Sequence, residues 1–285
     1  MTRLLIFLFV TLWSSAFITS KIIVDNASPF FSLGFRFSLV ALGFLFFSIY
    51  LKEKIFVARR HILEACISGL LFHVFYLGGV FYSISIGLPA SISALIVSMH
   101  PILTNIFAGP LLNEKVNWKQ WLGISLGFIG TMIVIGLDIG IKIPIIGIIA
   151  SFVALLGATV GTIWQKKLSY KLPLSVSNFY QAIGASFILL IVTLLIENNS
   201  YISFNSSFIL SMGWQIFAIS FGAFTILMYL IKIGTASQTS NLFFLVPPIS
   251  SIMAWFFLNE KITFYDISGL FIASIGVYIA TKSSN

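Results

Sequence analysis

Three ionisable side chains, Arg36, His73 and His100, sit inside long apolar stretches of this sequence, and any chemistry it performs starts from them. A charge at the centre of a hydrocarbon layer costs about 2.5–3.5 kcal/mol or more, so such groups face protein or a water-filled path and are functional candidates by default. A guanidinium grips a carboxylate through two parallel hydrogen bonds. An imidazole donates, accepts and titrates near neutral pH. The plainer alternatives are that Arg36 snorkels or meets backbone carbonyls, and that His73 hydrogen-bonds one helix to another. Tyr76 shares a helix face with His73. Aromatic, amide and hydroxyl residues in other apolar stretches complete the candidate substrate-binding set: Trp13, Ser15, Tyr82, Asn105, Trp164, Gln165, Tyr180, Gln181, Tyr229, Gln238 and Asn241. Such a set suits an apolar, stacking cavity with a few polar handles.

Absences narrow the chemistry. Asp25, Glu53, Glu64, Glu114, Asp138, Glu197, Glu260 and Asp266 all fall near the ends of apolar stretches, which disfavours a carrier that binds protons or sodium on a deep carboxylate. Electroneutral exchange, facilitated diffusion or coupling through histidine remain. The single cysteine, Cys66, leaves no internal disulfide and no multi-cysteine metal site. With no P-loop, catalytic triad or metal-ligand cluster in view, neither cofactor nor metal is expected, and the chain reads as a non-enzyme.

The elements that must position these residues are membrane helices. At 59% hydrophobic and 8% charged, with a mean hydropathy of +1.06, the chain lies far outside soluble composition, where about a quarter of residues are charged. A helix needs about 20 residues to cross the hydrocarbon core. The chain divides accordingly into ten spans near 3–23, 29–51, 62–87, 89–112, 118–137, 143–165, 174–196, 210–232, 235–258 and 263–281. Prolines open several of them (Pro29, Pro89, Pro144, Pro173), where the missing N–H costs least. Pro101 and Pro247 are expected inside spans, loosening the fourth and ninth helices as hinges. Lysine and arginine concentrate on one side, from Arg3, Lys52, Lys54, Arg59 and Arg60 to Lys166, Lys167 and Lys171, against Lys21, Lys142 and Lys261 on the other. Both termini are therefore expected in the cytoplasm. The net charge of +8 follows from these loops and anionic lipid headgroups and implies no nucleic-acid partner.

One stretch occurs twice. At constant offset, Ala90, Ser91, Pro101, Asn113, Glu114, Lys115, Gly123 and Gly130 fall on Ala236, Ser237, Pro247, Asn259, Glu260, Lys261, Gly269 and Gly276. Five spans per copy is an odd number, so the halves, 1–140 and 141–285, cross the membrane in opposite directions as an inverted repeat. Glu114 and Glu260 are read as structural turn residues, each capping the N–H groups of the next helix beside a neutralising lysine. The glycine stripes Gly123, Gly127, Gly130 and Gly269, Gly276 suit internal packing or a homodimer seam.

The order Trp13-Ser-Ser-Ala-Phe with Lys21, Phe35-Arg36-Phe37, Pro101 with Leu112-Asn-Glu-Lys, Trp121-Leu-Gly123, then Pro247 with Leu258-Asn-Glu-Lys and Gly269 with Gly276, resembles the EamA-type branch of the drug/metabolite transporter (DMT) superfamily over nearly the whole chain. The run from His73 to Phe81 followed by Gly87-Leu-Pro89-Ala90 resembles a bacterial subgroup. The likeness implies an all-helical inner-membrane carrier that exports or exchanges small metabolites, amino acids being the best-known cargo, through a central cavity lined by both halves. Several members carry glycine where this chain has Asn113 and Asn259.

Together these readings give a bacterial inner-membrane secondary transporter for amino acids or related carboxylates, monomeric or homodimeric, working by alternating access. A multidrug or lipophilic-cation exporter is the alternative, and a membrane-embedded enzyme stands behind both. Single cysteines placed near Lys54 and near Asn259, in a Cys66→Ser background, should react with an impermeant maleimide from opposite faces. Reaction of both from outside intact cells would overturn the inverted arrangement.

Overall fold

The computed structural model describes residues 2–88, 93, 96–135, 144–197, 199–258 and 264–282. Pro89, Ala90, Ser91, Asp138, Lys142, Asn259, Glu260 and Lys261 lie outside them, and with them the turn expected at Glu260. The regular structure among the described residues is helical: α1 (Thr2–Asn26), α2 (Pro29–Tyr50), α3 (Arg59–Ser85), α4 (His100–Leu112), α5 (Trp118–Ile135), α6 (Ile145–Leu168), α7 (Leu174–Ile196), α8 (Ser206–Ile233), α9 (236–258) and α10 (Phe264–Lys282). Six of these, α1, α2, α3, α6, α7 and α8, are long and apolar enough to cross a membrane. Phe46, Leu194, Phe217 and Phe271 stand exposed on the outer surface. An apolar surface of that extent is stable only under hydrocarbon, where helices satisfy their own backbone groups.

Local sequence sets where the helices start and stop. Pro29 opens α2, and Pro144 and Pro173 precede α6 and α7. Pro101 occupies the second position of α4, whereas Pro247 lies inside α9 as expected. Pro101 follows His100 at the start of α4, and Pro247 follows Val246 where a 3-10 turn, Leu242–Leu245, gives way to the rest of α9. The expected loosening thus takes the form of a helix start and a local tightening. At the end of α4, Asn113 adopts a left-handed conformation, φ 58°, with its N–H on the Gly109 carbonyl at 3.0 Å. Glycine and asparagine are the residues that take this cap readily. That explains why asparagine replaces the glycine of the family pattern without disturbing Glu114.

The helices pair antiparallel across the two halves of the chain. At one end of the α2–α7 seam, Glu197 accepts from the backbone N–H of Phe30 (2.8 Å) and Phe31 (3.1 Å) at the free N-terminus of α2. At the other end, the Ser175 hydroxyl at the start of α7 donates to Glu53. Gln215 and Trp214 of α8 bond to Ala16, Thr19, Ser20 and Ser15 of α1, while Gln165 of α6 accepts from Ser68 of α3. Helices α5 and α10 approach backbone to backbone. A Cβ added to Gly123 would lie 2.5 Å from the Ala280 nitrogen, and one on Gly130 would lie 2.5 Å from that of Ala273. The glycine stripes are therefore used inside the molecule, as small residues are in membrane helix pairs.

Gly123→Val should force α5 off α10 and destabilise the protein by about 1–3 kcal/mol. Gly213→Ala, whose new methyl meets nothing within 4 Å, should be neutral or slightly stabilising. Thermal unfolding of the purified protein in detergent compares the two, and equal melting points would remove the packing argument.

Candidate functional site

Four helices, α1, α2, α3 and α8, surround a small, partly open cavity. Trp13, Phe17 and Ser20 come from α1, Arg36 and Phe37 from α2, His73, Tyr76 and Leu77 from α3, and Gln215, Ser220 and Phe224 from α8. These residues lie between mid-depth and the face where α1 and α3 end and α2 and α8 begin. The backbone is unusual at the same place. Residues Leu70–Gly78 of α3 and Gln215–Ala223 of α8 are wound as π-helix, and the two stretches flank the cavity from facing sides. Wide turns of this kind re-aim side chains and concentrate at functional sites.

Arg36 is 3% exposed, and its Nε and one terminal nitrogen both donate to Ser220 Oγ, at 3.0 and 2.9 Å. Its guanidinium carbon lies 5.1 Å from the Phe37 ring centre. No carboxylate lines the cavity, so the charge meets only neutral partners there. His73 is held between Phe37 and Phe224, ring centres at 4.2 and 4.7 Å, and its Nδ1 is buried with no hydrogen-bond partner among the described residues. Gln215 directs Nε2 into α1, to the Ala16 carbonyl, Thr19 and Ser20 at 3.0, 2.8 and 3.2 Å. Trp13 and Tyr76 lie nearly parallel, 13° apart with centres 6.5 Å apart, over the floor. Positive charge, spare hydrogen-bonding capacity and aromatic faces are thus brought together in one pocket, which suits a small molecule with an anionic end and an apolar or flat remainder.

Below the cavity the opposite face is closed. Phe243 packs edge-on against Trp13, Phe9 and His100. Asn105 of α4 donates to Asn241 of α9 at 2.9 Å, and Gln181 of α7 donates to Gln165 of α6 at 3.2 Å. At the surface of that face, Lys166 Nζ caps the end of α8 through the carbonyls of Ile231 (2.9 Å), Lys232 and Gly234. Glu114 takes the backbone N–H groups of Ala236 and Ser237 at 2.9 and 3.1 Å, together with the Ser237 hydroxyl at 2.8 Å. The expectation that Glu114 caps the helix after its own turn is therefore corrected: it caps α9, because the α4 and α9 ends meet there and the first turn of α9 offers free N–H groups.

Of the candidate binding residues, Trp13, Arg36, His73 and Tyr76 line the cavity. The others stand elsewhere. His100 is bonded to Thr104 and packed on Phe243 beneath the floor. Ser15 accepts from Trp214, Tyr82 stacks on Phe30, Trp164 donates to the Glu64 carbonyl, and Tyr180 donates to the Ile55 carbonyl. Gln238 forms a capping box with Thr235, and Tyr229 is absent from the walls. Asn105 and Asn241 pair with each other, as do Gln165 and Gln181. Sequence reasoning missed Gln215 and Ser220. The signal was present: Gln215 is an amide in an apolar stretch, the same feature that drew attention to Gln165 and Gln181.

A multi-pass helical membrane protein with a charged, aromatic cavity between its helices belongs to the class of membrane transporters. The chain belongs to the EamA-like transporter family, whose pattern matches residues 1–136 and again 145–282. It is 25% identical to the "Uncharacterized transporter YvbV" of Bacillus subtilis (strain 168), across 99% of this chain and 92% of the relative. It is 24% identical to the "Probable amino-acid metabolite efflux pump" of Salmonella typhimurium, across 95% and 92%. The "S-adenosylmethionine/S-adenosylhomocysteine transporter" of Chlamydia muridarum matches at 30% over 47% of this chain and 42% of its own. A solved crystal structure with 15% identity superposes with a TM-score of 0.82 over 99% of this chain and 98% of the other, a likeness of fold.

Ser220→Ala should leave a buried guanidinium without its acceptor and cost about 1–3 kcal/mol of stability. Arg36→Met combined with Ser220→Ala should recover most of that loss, since a pair replaced by apolar groups is close to neutral. Thermal unfolding of the three proteins tests the pairing, and a double variant as unstable as the single one would argue against it.

Proposed function

We propose that this chain is a ten-span secondary carrier of a bacterial cytoplasmic membrane, built from inverted repeats at 1–140 and 141–285, that moves an amino acid or related carboxylate by alternating access. The observation that carries the cargo class is Arg36, a buried cation whose only hydrogen-bond partner among the described residues is a neutral hydroxyl. In a cavity of low dielectric that charge calls for an anionic group from the substrate. His73 Nδ1, buried and unpartnered, adds one more hydrogen-bonding position beside it. The printed name of the Salmonella relative supports the same class.

Support for the inverted repeat comes from how the halves meet. Corresponding helices α2 and α7, α4 and α9, and α5 and α10 each pack antiparallel, and α1 meets α8 as α6 meets α3. The π-wound stretches fall at corresponding positions of α3 and α8. Inverted halves rocking about a midplane site are the usual basis of alternating access. With the basic loops taken as cytoplasmic, the cavity faces outward and the closed side inward. The carrier is read as a monomer, because both glycine stripes are consumed internally.

Aromatic walls at Trp13, Phe37, Tyr76 and Phe224 would also attract a lipophilic cation. Arg36 opposes that reading. Counterflow into liposomes against amino acids, their amides and lipophilic cations separates the two. Arg36→Gln should weaken a carboxylate substrate by about 1.5–3 kcal/mol, the worth of a hydrogen bond to a charged group, and its amide far less. His73→Ala should abolish transport in a protein that still folds. If both variants carry the true substrate normally, or if that substrate is a cation, the carboxylate reading fails.

A further inference from the structure

We infer that a groove between α3 and α6, at the surface of the closed face, seats the headgroup of an anionic phospholipid. The groove holds about 200 Å3 and is lined by Arg60 and Glu64 of α3, Trp164, Lys167 and Leu168 of α6, and Lys171 just beyond the end of α6. It shares no residue with the Arg36 cavity. Small residues bring α6 against α3 beneath it: a Cβ on Gly157 would lie 2.9 Å from the Leu71 carbonyl oxygen, and one on Gly161 would lie 3.1 Å from the Phe72 ring. One turn further along α6, the Trp164 indole donates to the Glu64 carbonyl at 2.9 Å, which fixes the ring as one wall of the groove.

Charge is what the groove offers. Glu64 takes Lys171 Nζ at 2.8 Å on both its oxygens and Arg60 Nε at 3.2 Å. Among the described residues Lys167 forms no ion pair, and the Arg60 side chain is 82% exposed. One carboxylate does not neutralise three cations, so positive charge is left over at the end of two spanning helices, which is the level of bilayer phosphates. A guanidinium there can hold two phosphate oxygens in parallel hydrogen bonds. The surface that continues from the groove favours a lipid over a free anion. On α3, Leu63 and Ile67 stand one turn beyond Arg60 and Glu64, and on α6, Val160 and Leu156 stand one and two turns before Trp164, all four exposed. Headgroup pocket and apolar track are therefore continuous down the same two helices. A soluble phosphate would use the first and leave the second empty.

Full-length protein in neutral detergent is titrated with phosphatidylglycerol or with phosphatidylcholine, and the tightest bound lipid is followed by native mass spectrometry. The parent should prefer phosphatidylglycerol, and equal affinity for the two ends the proposal. Arg60→Gln combined with Lys167→Gln should weaken phosphatidylglycerol by roughly 25-fold, about a factor of five for each cation, and leave phosphatidylcholine unchanged. Glu64→Gln lifts the opposing charge and frees Lys171, so it should strengthen phosphatidylglycerol by about fivefold, a gain that loss of structure does not produce. An unchanged or weakened affinity in Glu64→Gln counts against the groove even where the double variant folds poorly. Lys52→Gln combined with Lys54→Gln removes two cations from outside the groove, on the same face, and should change little. If it weakens the lipid as much as the groove pair does, diffuse surface charge holds the lipid and the groove is no site. Inorganic phosphate at constant ionic strength should not displace the lipid, and displacement would show a free-anion site instead.

Discussion

Hydrocarbon offers no water to the ends of helices or to buried polar groups, and the architecture of this chain answers that constraint with carboxylates placed across the halves. Two free helix starts in the described seams are met by an acid from the other half, Glu197 serving α2 and Glu114 serving α9, while Glu53 accepts from the Ser175 hydroxyl in the first turn of α7. A cap supplied locally would stabilise a helix and nothing more. Supplied from the other half, it fixes the pairing of helices as well, and the turn that carries it must then adopt an exact shape. That is the reason Asn113 sits in a left-handed conformation immediately before Glu114, aiming the carboxylate outward from the end of α4.

The carboxylates, once committed to helix ends, leave the cavity without a counter-charge. Among the described residues Arg36 therefore meets only neutral partners, the Ser220 hydroxyl and the Phe37 ring. Among the described residues, Glu197 and Glu114 join the halves at helix ends, Arg36 is buried against the cavity, and the Asn105–Asn241 and Gln165–Gln181 amides pair through single bonds. Function is separated by depth as much as by residue type.

Much of this was legible in the sequence, for identifiable physical reasons. Hydrocarbon thickness sets span length, so apolar runs such as 174–196 coincide with a helix. Arg36 and His73 were singled out because burying them demands a protein-lined path, and both line the cavity. The amides were misplaced for an equally physical reason. Asn105, Gln165, Gln181 and Asn241 look the same in sequence whether they face a substrate or one another, and only the packing of α4 on α9 and of α6 on α7 decides. Gln215 carries the same signal as Gln165 and Gln181, an amide in an apolar stretch, whereas Ser220 is one of many hydroxyls in the chain, and only the packing of α8 on α1 and α2 sets it apart. The partner of Glu114 was wrong because a turn suggests its own next helix, whereas the free N–H groups belonged to a helix more than a hundred residues away.

These differences in strength decide which parts of the molecule can move. Backbone-to-backbone packing at Gly123 and Gly130 tolerates no separation without loss of its close contacts, so α5 and α10 travel as one body. The α2–α7 seam is bonded at both ends, by the Glu197 cap at one and the Ser175–Glu53 bond at the other. What remains is the layer of singly bonded amides, the Phe243 cluster against Trp13 and His100, and the Glu114 cap above them. Trp13 belongs to that layer and to the cavity wall together, with Tyr76 on one side of it and Phe243 on the other. The Trp13 ring thus joins the packing of the cavity wall to that of the closed face, so a substrate seated in the cavity as proposed would act on both through this one side chain.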